Sequence, residues 1–300
     1  MISRDESGYG SSESLFEDQT PPPNFERINF DKIRFQDEFE VTDLLMKSAN
    51  GVLYEGNWLK TGQKIILKQI PRINVPKWIS LDGHLVPAEI AFHFQAFKTA
   101  KKSSVICQPI AWLEKRSSFV LVLEKMGSEI CDLFELSRKY GALQEEPVKI
   151  IFGQLLDIWE NLNESKICHR DLKDENIIIN IETLDCKLID FGCATSLTST
   201  EESNFAGTPE FYPPEWFSKK LFFHQSLNSW GIGTILYILL TGQMPARQNM
   251  AFSDIKMESK EILEHLSDPV QNLLKSLLEY NPSKRANLFN AKNLYEKWCL

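Results

Sequence analysis

The sequence contains no Cys-x-x-Cys pair. Its six cysteines, Cys107, Cys131, Cys168, Cys186, Cys193 and Cys299, are scattered with no matching histidine spacing, which argues against a zinc site or a disulfide framework. Reduced thiols are expected, and with them a cytoplasmic chain with the nucleus as a second location. No long apolar run is present either. The longest, roughly Ile232 to Leu240, falls far short of the about 20 residues that span a bilayer. The opening MISRDESGYGSSE lacks the apolar centre of a secretory signal. An excess of positive charge is missing as well: the net charge of −8 speaks against nucleic acid or an anionic membrane surface as the main partner and suits a basic substrate. Repeats of solenoid or propeller length are not found. These absences lead to the expectation of a soluble protein, and 300 residues with 43% hydrophobic content suffice for a full core.

The chemistry is concentrated between Ile167 and Gly192, ICHRDLKDENIIINIETLDCKLIDFG. His169-Arg170-Asp171 is followed at a fixed distance by Asn176, and the apolar approach Lys187–Ile189 leads into Asp190-Phe191-Gly192. This set is what phosphoryl transfer needs. Asp171 can accept the proton of an attacking hydroxyl, while Asn176 and Asp190 supply oxygen ligands for magnesium, which prefers oxygen and takes the rest of its shell from water and phosphate. Two loop aspartates capping turns are the plainer alternative, but the order and spacing of the whole set argue against it.

With these residues the chain resembles a eukaryotic protein kinase, and the wording HRDLKDEN with LIDFG is most similar to the Pim family of serine/threonine kinases. Further phrases carry the same resemblance: Val86-Pro87-Ala88-Glu89, Gly141-Ala142-Leu143-Gln144-Glu145-Glu146 and Pro213-Pro214-Glu215. The resemblance implies an α+β, two-lobed kinase fold, with a small antiparallel-sheet lobe carrying one main helix above a larger, mostly helical lobe. It places a disordered tail at residues 1–34 and the kinase domain at 35–300, divided into an N-lobe (about 35–124), a hinge (about 124–130) and a C-lobe (about 131–300). Composition supports the tail, which is rich in Ser, Glu, Gly and Pro; Phe25 to Phe35, where apolar and charged residues alternate, reads as a strand or a packed segment.

Taken residue by residue, the resemblance implies ATP and Mg2+ as cofactors and a protein, possibly basic, as substrate of a monomeric enzyme. Lys68, closing Ile65-Ile66-Leu67-Lys68, would reach the α- and β-phosphates, with Glu89 as its partner. Asp171, Lys173, Asn176 and Asp190 would be catalytic, and Thr208 would hold Asp171 and Lys173. The glycine-rich phosphate cover aligns with Met46, Ser48 and Gly51, so only its third glycine remains; Asn50 tolerates the left-handed geometry of the tip. Ile66 replaces the usual alanine and would narrow the adenine slot. Leu123 would be the gatekeeper, and Glu124 and Met126 the hinge residues whose backbone reads adenine, Met126 keeping the N–H that a proline removes in the Pim family. His93 stands where kinases carry an aliphatic residue beneath the Phe191 ring, and is expected to be packed and hydrogen-bonded. Glu215 would pair with Arg285, while Asn228 replaces an aspartate. Asp132, Glu135, Asp174 and Glu175 would read basic substrates, with Gln243 and Arg247 weakening that preference. With Glu201 and Glu202 near Arg170, no activating phosphorylation is expected. A catalytically silent kinase-like scaffold is the rival reading, supported by Met46, Ser48 and Ile66.

From local pattern, strands are expected at Phe39–Tyr54 (two, with a turn), Lys64–Ile70 and Val105–Glu124 (two, around a Lys115–Ser118 turn). Pro71–Pro87 reads as a polar connection. Helices are expected from Pro87, from Asp132, from Pro147 with the stripe Val148, Ile151, Phe152, Leu155, Leu156, Trp159 and Leu162, and over Leu227–Leu240.

Overall fold

The computed structural model describes residues 35–48, 51–100, 105–203, 206–245 and 264–300. The expected tail 1–34, Asn50 at the loop tip and Arg247 lie outside the described residues. The fold has two lobes. A short helical turn, α1 (Phe35–Glu38), leads into β1 (Phe39–Ser48), β2 (Gly51–Trp58) and β3 (Gln63–Pro71). After a hairpin of β4 (Trp78–Leu81) and β5 (His84–Pro87) comes α2 (Ala88–Thr99), then β6 (Pro109–Glu114) and β7 (Ser118–Glu124). The antiparallel sheet runs β1-β2-β3-β7-β6.

Alternation along β7 decides how this lobe is built. Phe119, Leu121 and Leu123 point to the face where Ile90, Ala91 and Phe94 of α2 pack, and Val120 and Val122 point to the opposite face with Phe39, Ile65 and Leu67. A strand buried on both sides must be apolar at every position, which is why Phe119–Leu123 carries no polar residue.

The polar connection expected over Pro71–Pro87 is in fact structured. A 3-10 turn at Arg72–Asn74 precedes the β4–β5 hairpin, which pairs Leu81 with His84. The two loop residues, Asp82 at φ 51° and Gly83 at φ 83°, are the left-handed pair that a tight two-residue hairpin loop needs. Pro87 therefore closes a strand and caps α2, which begins at Ala88, rather than occupying the first helical turn.

The larger lobe opens with β8 (Ile130–Asp132) and α3 (Leu133–Tyr140), capped by the Asp132 carboxylate accepting the Glu135 N–H at 2.7 Å. Next is α4 (Glu145–Glu164), which starts two residues before Pro147 and buries the whole expected stripe. Then follow β9 (Ile167–Cys168), β10 (Ile177–Asn180), β11 (Cys186–Leu188), β12 (Thr195–Ser196), α5 (Pro214–Lys219) and α6 (His224–Thr241). Of α6 only Gln225 escapes burial, as a helix apolar on all sides must. It ends where Gly242, at φ 68°, donates to the Ile238 carbonyl at 2.7 Å. Finally α7 (Asp268–Leu277) and α8 (Leu288–Cys299) pack on α4 and α6. No helix among the described residues is long and apolar enough to cross a membrane.

Candidate active site

The cleft between the lobes is organised by one cation. Lys68 projects from β3, and its Nζ lies 2.5 Å from Glu89 Oε1 in the first turn of α2 and 2.8 Å from Asp190 Oδ1. Burial alone would lower the Lys68 pKa, but the two carboxylates outweigh it and raise it. Asp190 is pushed up by burial and pulled down further by the Lys68 charge and hydrogen bond, ending at about 2. Glu89 is moved upward, because its burial is only partly offset by Lys68 while the Asp190 charge adds to it. One ammonium between two carboxylates fixes α2, β3 and the Asp190 loop against one another.

Asp190 and Arg170 both hold the left-handed backbone, at φ 60° and 63°, a conformation that non-glycine residues adopt at an energetic cost and that clusters at functional sites. The Asp190 carboxylate accepts the Gly192 N–H at 3.1 Å. The Asp171 loop is braced separately. Thr208 N–H donates to Asp171 Oδ1 at 2.8 Å, and Asn176 Nδ2 donates to Oδ2 at 3.1 Å and to the Asp171 carbonyl at 2.8 Å. Lys173 Nζ donates to Thr208 Oγ1 at 2.9 Å and stands 3.7 Å from Asp171 Oδ2. Gly207, at φ 94°, passes so close to the Arg170 carbonyl that a Cβ would collide with it. The Ile189 N–H donates to the Asn176 carbonyl at 3.0 Å, so the two oxygen donors expected for magnesium, Asn176 just before β10 and Asp190 just after β11, flank two strands that pair with each other. One carboxylate and one amide oxygen suit an ion that fills its shell with water and phosphate oxygens.

On the nucleotide side the structure places Met46 and Ser48 at the end of β1, opposite Leu53 and Gly51. Met46 is exposed, and the Ser48 hydroxyl donates to the Gly51 carbonyl at 3.2 Å. Gly51 cannot carry a side chain, since its Cβ would run into the Gln69 carbonyl. Ile66 sits opposite Leu123 and packs, half-buried, against the cluster beneath α2. Glu124 and the half-buried Met126 lie at the end of β7 and just beyond it. The Glu124 carboxylate turns back, accepting from Lys187 Nζ at 2.6 Å and from the Gln108 N–H at 2.6 Å. Lys125 Nζ meets Glu55 Oε2 at 2.5 Å, tying the hinge to β2. Sequence reasoning missed Lys187, Gln108 and Glu55 as hinge supports and placed Lys125 in the hinge without its tie to Glu55; these pairs are remote in sequence and carry no local signature.

The segment after Gly192 is held by its own bonds. Arg170 Nε donates to the Cys193 carbonyl at 2.7 Å, β12 pairs with β9, and Glu202 and Phe222 exchange backbone hydrogen bonds at 2.9 and 3.1 Å. His224, also missed, accepts the Thr198 N–H on Nδ1 at 3.0 Å. Of the acidic residues expected to read a substrate, Asp132 caps α3, and Glu175 lies 2.8 Å from Lys173 Nζ. Asp174 is buried and raised to about 6 by that burial and by the charges of Glu175 and Asp132.

A protein kinase domain model matches residues 39–298. The chain belongs to the protein kinase family. It is 30% identical over 263 residues to a zebrafish (Danio rerio) serine/threonine-protein kinase pim-2, covering 86% of this chain and 84% of that one. It is also 30% identical over 256 residues to the Caenorhabditis elegans serine/threonine-protein kinase prk-2, covering 85% of this chain but only 57% of the longer nematode protein. It is thus a divergent protein kinase similar to the Pim branch, with the two-lobed fold that the motifs imply, and its relatives are serine/threonine kinases by name.

Proposed function

We propose that the chain transfers the γ-phosphoryl group of ATP to serine or threonine hydroxyls of protein substrates, with a preference for basic sequences. The observation that carries this reading is the Lys68 ammonium held between Glu89 and Asp190, the cation that would meet the α- and β-phosphates. Asp171, aimed by Thr208 and Asn176, accepts the proton as the substrate hydroxyl oxygen attacks the γ-phosphorus; the bond to the bridging oxygen breaks and ADP leaves with the electron pair. Lys173, within reach of Asp171 and Thr208, offsets charge on the transferred group. Magnesium would be held by Asn176 and Asp190 and would neutralise charge on the phosphates.

Asp132, Glu135, Asp174 and Glu175 support a basic preference, weakened by Gln243, by the burial of Asp174, by the capping role of Asp132 and by the engagement of Glu175 with Lys173. The bonds that hold the segment from Cys193 to Glu202, among them Arg170 to the Cys193 carbonyl and Glu202 to Phe222, support activity in the unphosphorylated state; loss of activity on phosphatase treatment, followed by mass spectrometry, would refute that point. A cytoplasmic or nuclear monomer completes the proposal, open to microscopy and sedimentation. The scaffold reading rests on Met46, Ser48 and Ile66. Transfer from labelled Mg-ATP to an arginine-rich serine peptide decides between the two: wild type is expected to transfer and Asp171→Ala to lose transfer. No transfer on varied peptides, with no thermal shift from Mg-ATP, would establish the scaffold.

A further inference from the structure

His93 lies one helical turn after Glu89 on α2 and is 1% exposed. Its ring packs on Phe191 with centroids 4.7 Å apart and planes tilted by 36°, and His169 meets the same ring edge-on at 5.0 Å. Packing is only part of its role. His93 Nε2 lies 2.7 Å from the Cys107 carbonyl, and since a carbonyl only accepts, Nε2 carries the proton and donates. Burial holds the ring neutral, its pKa lowered to about 4. Cys107 is itself fastened to β11, the strand that leads to Asp190: its N–H donates to the Leu188 carbonyl at 3.1 Å, and Leu188 N–H donates to the Val105 carbonyl at 2.9 Å. A continuous line of bonds therefore runs from α2 through Cys107 to β11.

We propose that His93 is a positioning residue that holds α2 inward through its hydrogen bond to the Cys107 carbonyl, and so keeps Glu89 on Lys68 without help from a phosphate. Swinging α2 outward would strip a buried carbonyl of this donor and expose the Phe191 ring together. An aliphatic residue at 93 would preserve the second contact and forfeit the first. The hydrogen bond is thus separable from the packing, and a pair of substitutions separates them: His93→Leu keeps an apolar side chain, whereas His93→Gln keeps an N–H donor at a similar reach.

Hydrogen exchange of the α2 amides, residues 88–99, is measured on the nucleotide-free protein, and KM for ATP and kcat on the peptide assay, with Tm as a control on folding. His93→Leu is expected to raise α2 exchange and KM for ATP by about tenfold, which corresponds to about 1.4 kcal/mol and lies within the cost of a buried carbonyl left unpaired. His93→Gln is expected to stay within about threefold of wild type on the same scale. Wild-type behaviour of the leucine variant, or matching defects in both variants, would overturn the proposal. The kinetic half rests on the kinase reading, but the exchange half does not: a wild type that transfers no phosphate would refute that reading while α2 exchange still decides the role of His93.

Discussion

Replacing Arg285 by methionine removes one side of the most enclosed ion pair among the described residues of the larger lobe. The Arg285 side chain is 0% and the Glu215 side chain 5% exposed. The guanidinium donates to both carboxylate oxygens, at 2.8 and 2.7 Å, to the Ser226 carbonyl at 3.1 Å and to the Glu279 carbonyl at 2.8 Å, and it lies 5.0 Å over Trp230. After substitution Glu215 retains the Ser226 hydroxyl at 2.7 Å and no opposing charge from Arg285. A buried pair broken on one side costs about 3–5 kcal/mol. For a domain of this size each kcal/mol moves Tm by roughly 2–4 °C, so Arg285→Met should lower Tm by roughly 6–20 °C. Exchanging both partners for apolar residues, Glu215→Met with Arg285→Met, should recover much of the loss, because the stranded charge goes with its partner. Calorimetry at neutral pH on the three proteins measures this. A single variant within about 1 kcal/mol of wild type, or a double variant no better than the single, would refute the view that charge burial governs this contact.

The altered phosphate cover gives a second prediction: Met46→Gly with Ser48→Gly should lower KM for Mg-ATP by at least about threefold, since backbone N–H groups approach phosphate more closely without a Cβ. An unchanged or raised KM in the peptide assay would show that these side chains do not limit nucleotide binding. A third concerns pH. Asp174 titrates at about 6, neutral below and ionised above, so KM for an arginine-rich peptide should fall as pH rises from about 5.5 to about 7.5. Asp174→Asn should flatten that dependence; a slope that persists in the variant would assign it elsewhere.

The parts of this molecule that were legible in the sequence are those written in contiguous residues. The Asp171–Asn176 and Asp190–Gly192 motifs, the stripe of α4 and the unbroken apolar run of β7 each carry their structural cause within a few positions. The β4–β5 hairpin is also written there, in Asp82-Gly83 between two short apolar stretches, but the prolines around it make the stretch read as loop. The supports of the site belong to a different class. Glu124 with Lys187, Lys125 with Glu55 and Thr198 with His224 join residues 63, 70 and 26 positions apart. Nothing local distinguishes Lys187 from any lysine on a half-exposed strand; only the bonds of Val105 and Cys107 to Leu188 and of Gln108 to Glu124 bring its ammonium to Glu124. Boundaries failed for a related reason: α4 begins at Glu145 rather than Pro147 because Glu145 also anchors the far end of the chain, accepting from Ser267 N–H at 2.6 Å and Trp298 Nε1 at 2.6 Å.

The departures and the retained residues can be weighed by what each does to stability. Met46 and Ser48 sit on an exposed edge strand, and Ile66 adds apolar contact beneath α2; all three substitutions are neutral or favourable for a folded scaffold. The Lys68–Glu89–Asp190 cluster is the reverse. It places one ammonium and two carboxylates where burial raises one acid and would depress the base, and a chain selected for folding alone would gain by filling the same space with apolar side chains. Left-handed Arg170 and Asp190 add backbone strain. A stability cost concentrated on the residues that would handle phosphate, beside relaxed substitutions where the nucleotide would only be covered, favours a working enzyme with a modified nucleotide lid over a binding module that has kept its shape. Function is the term that balances the cost.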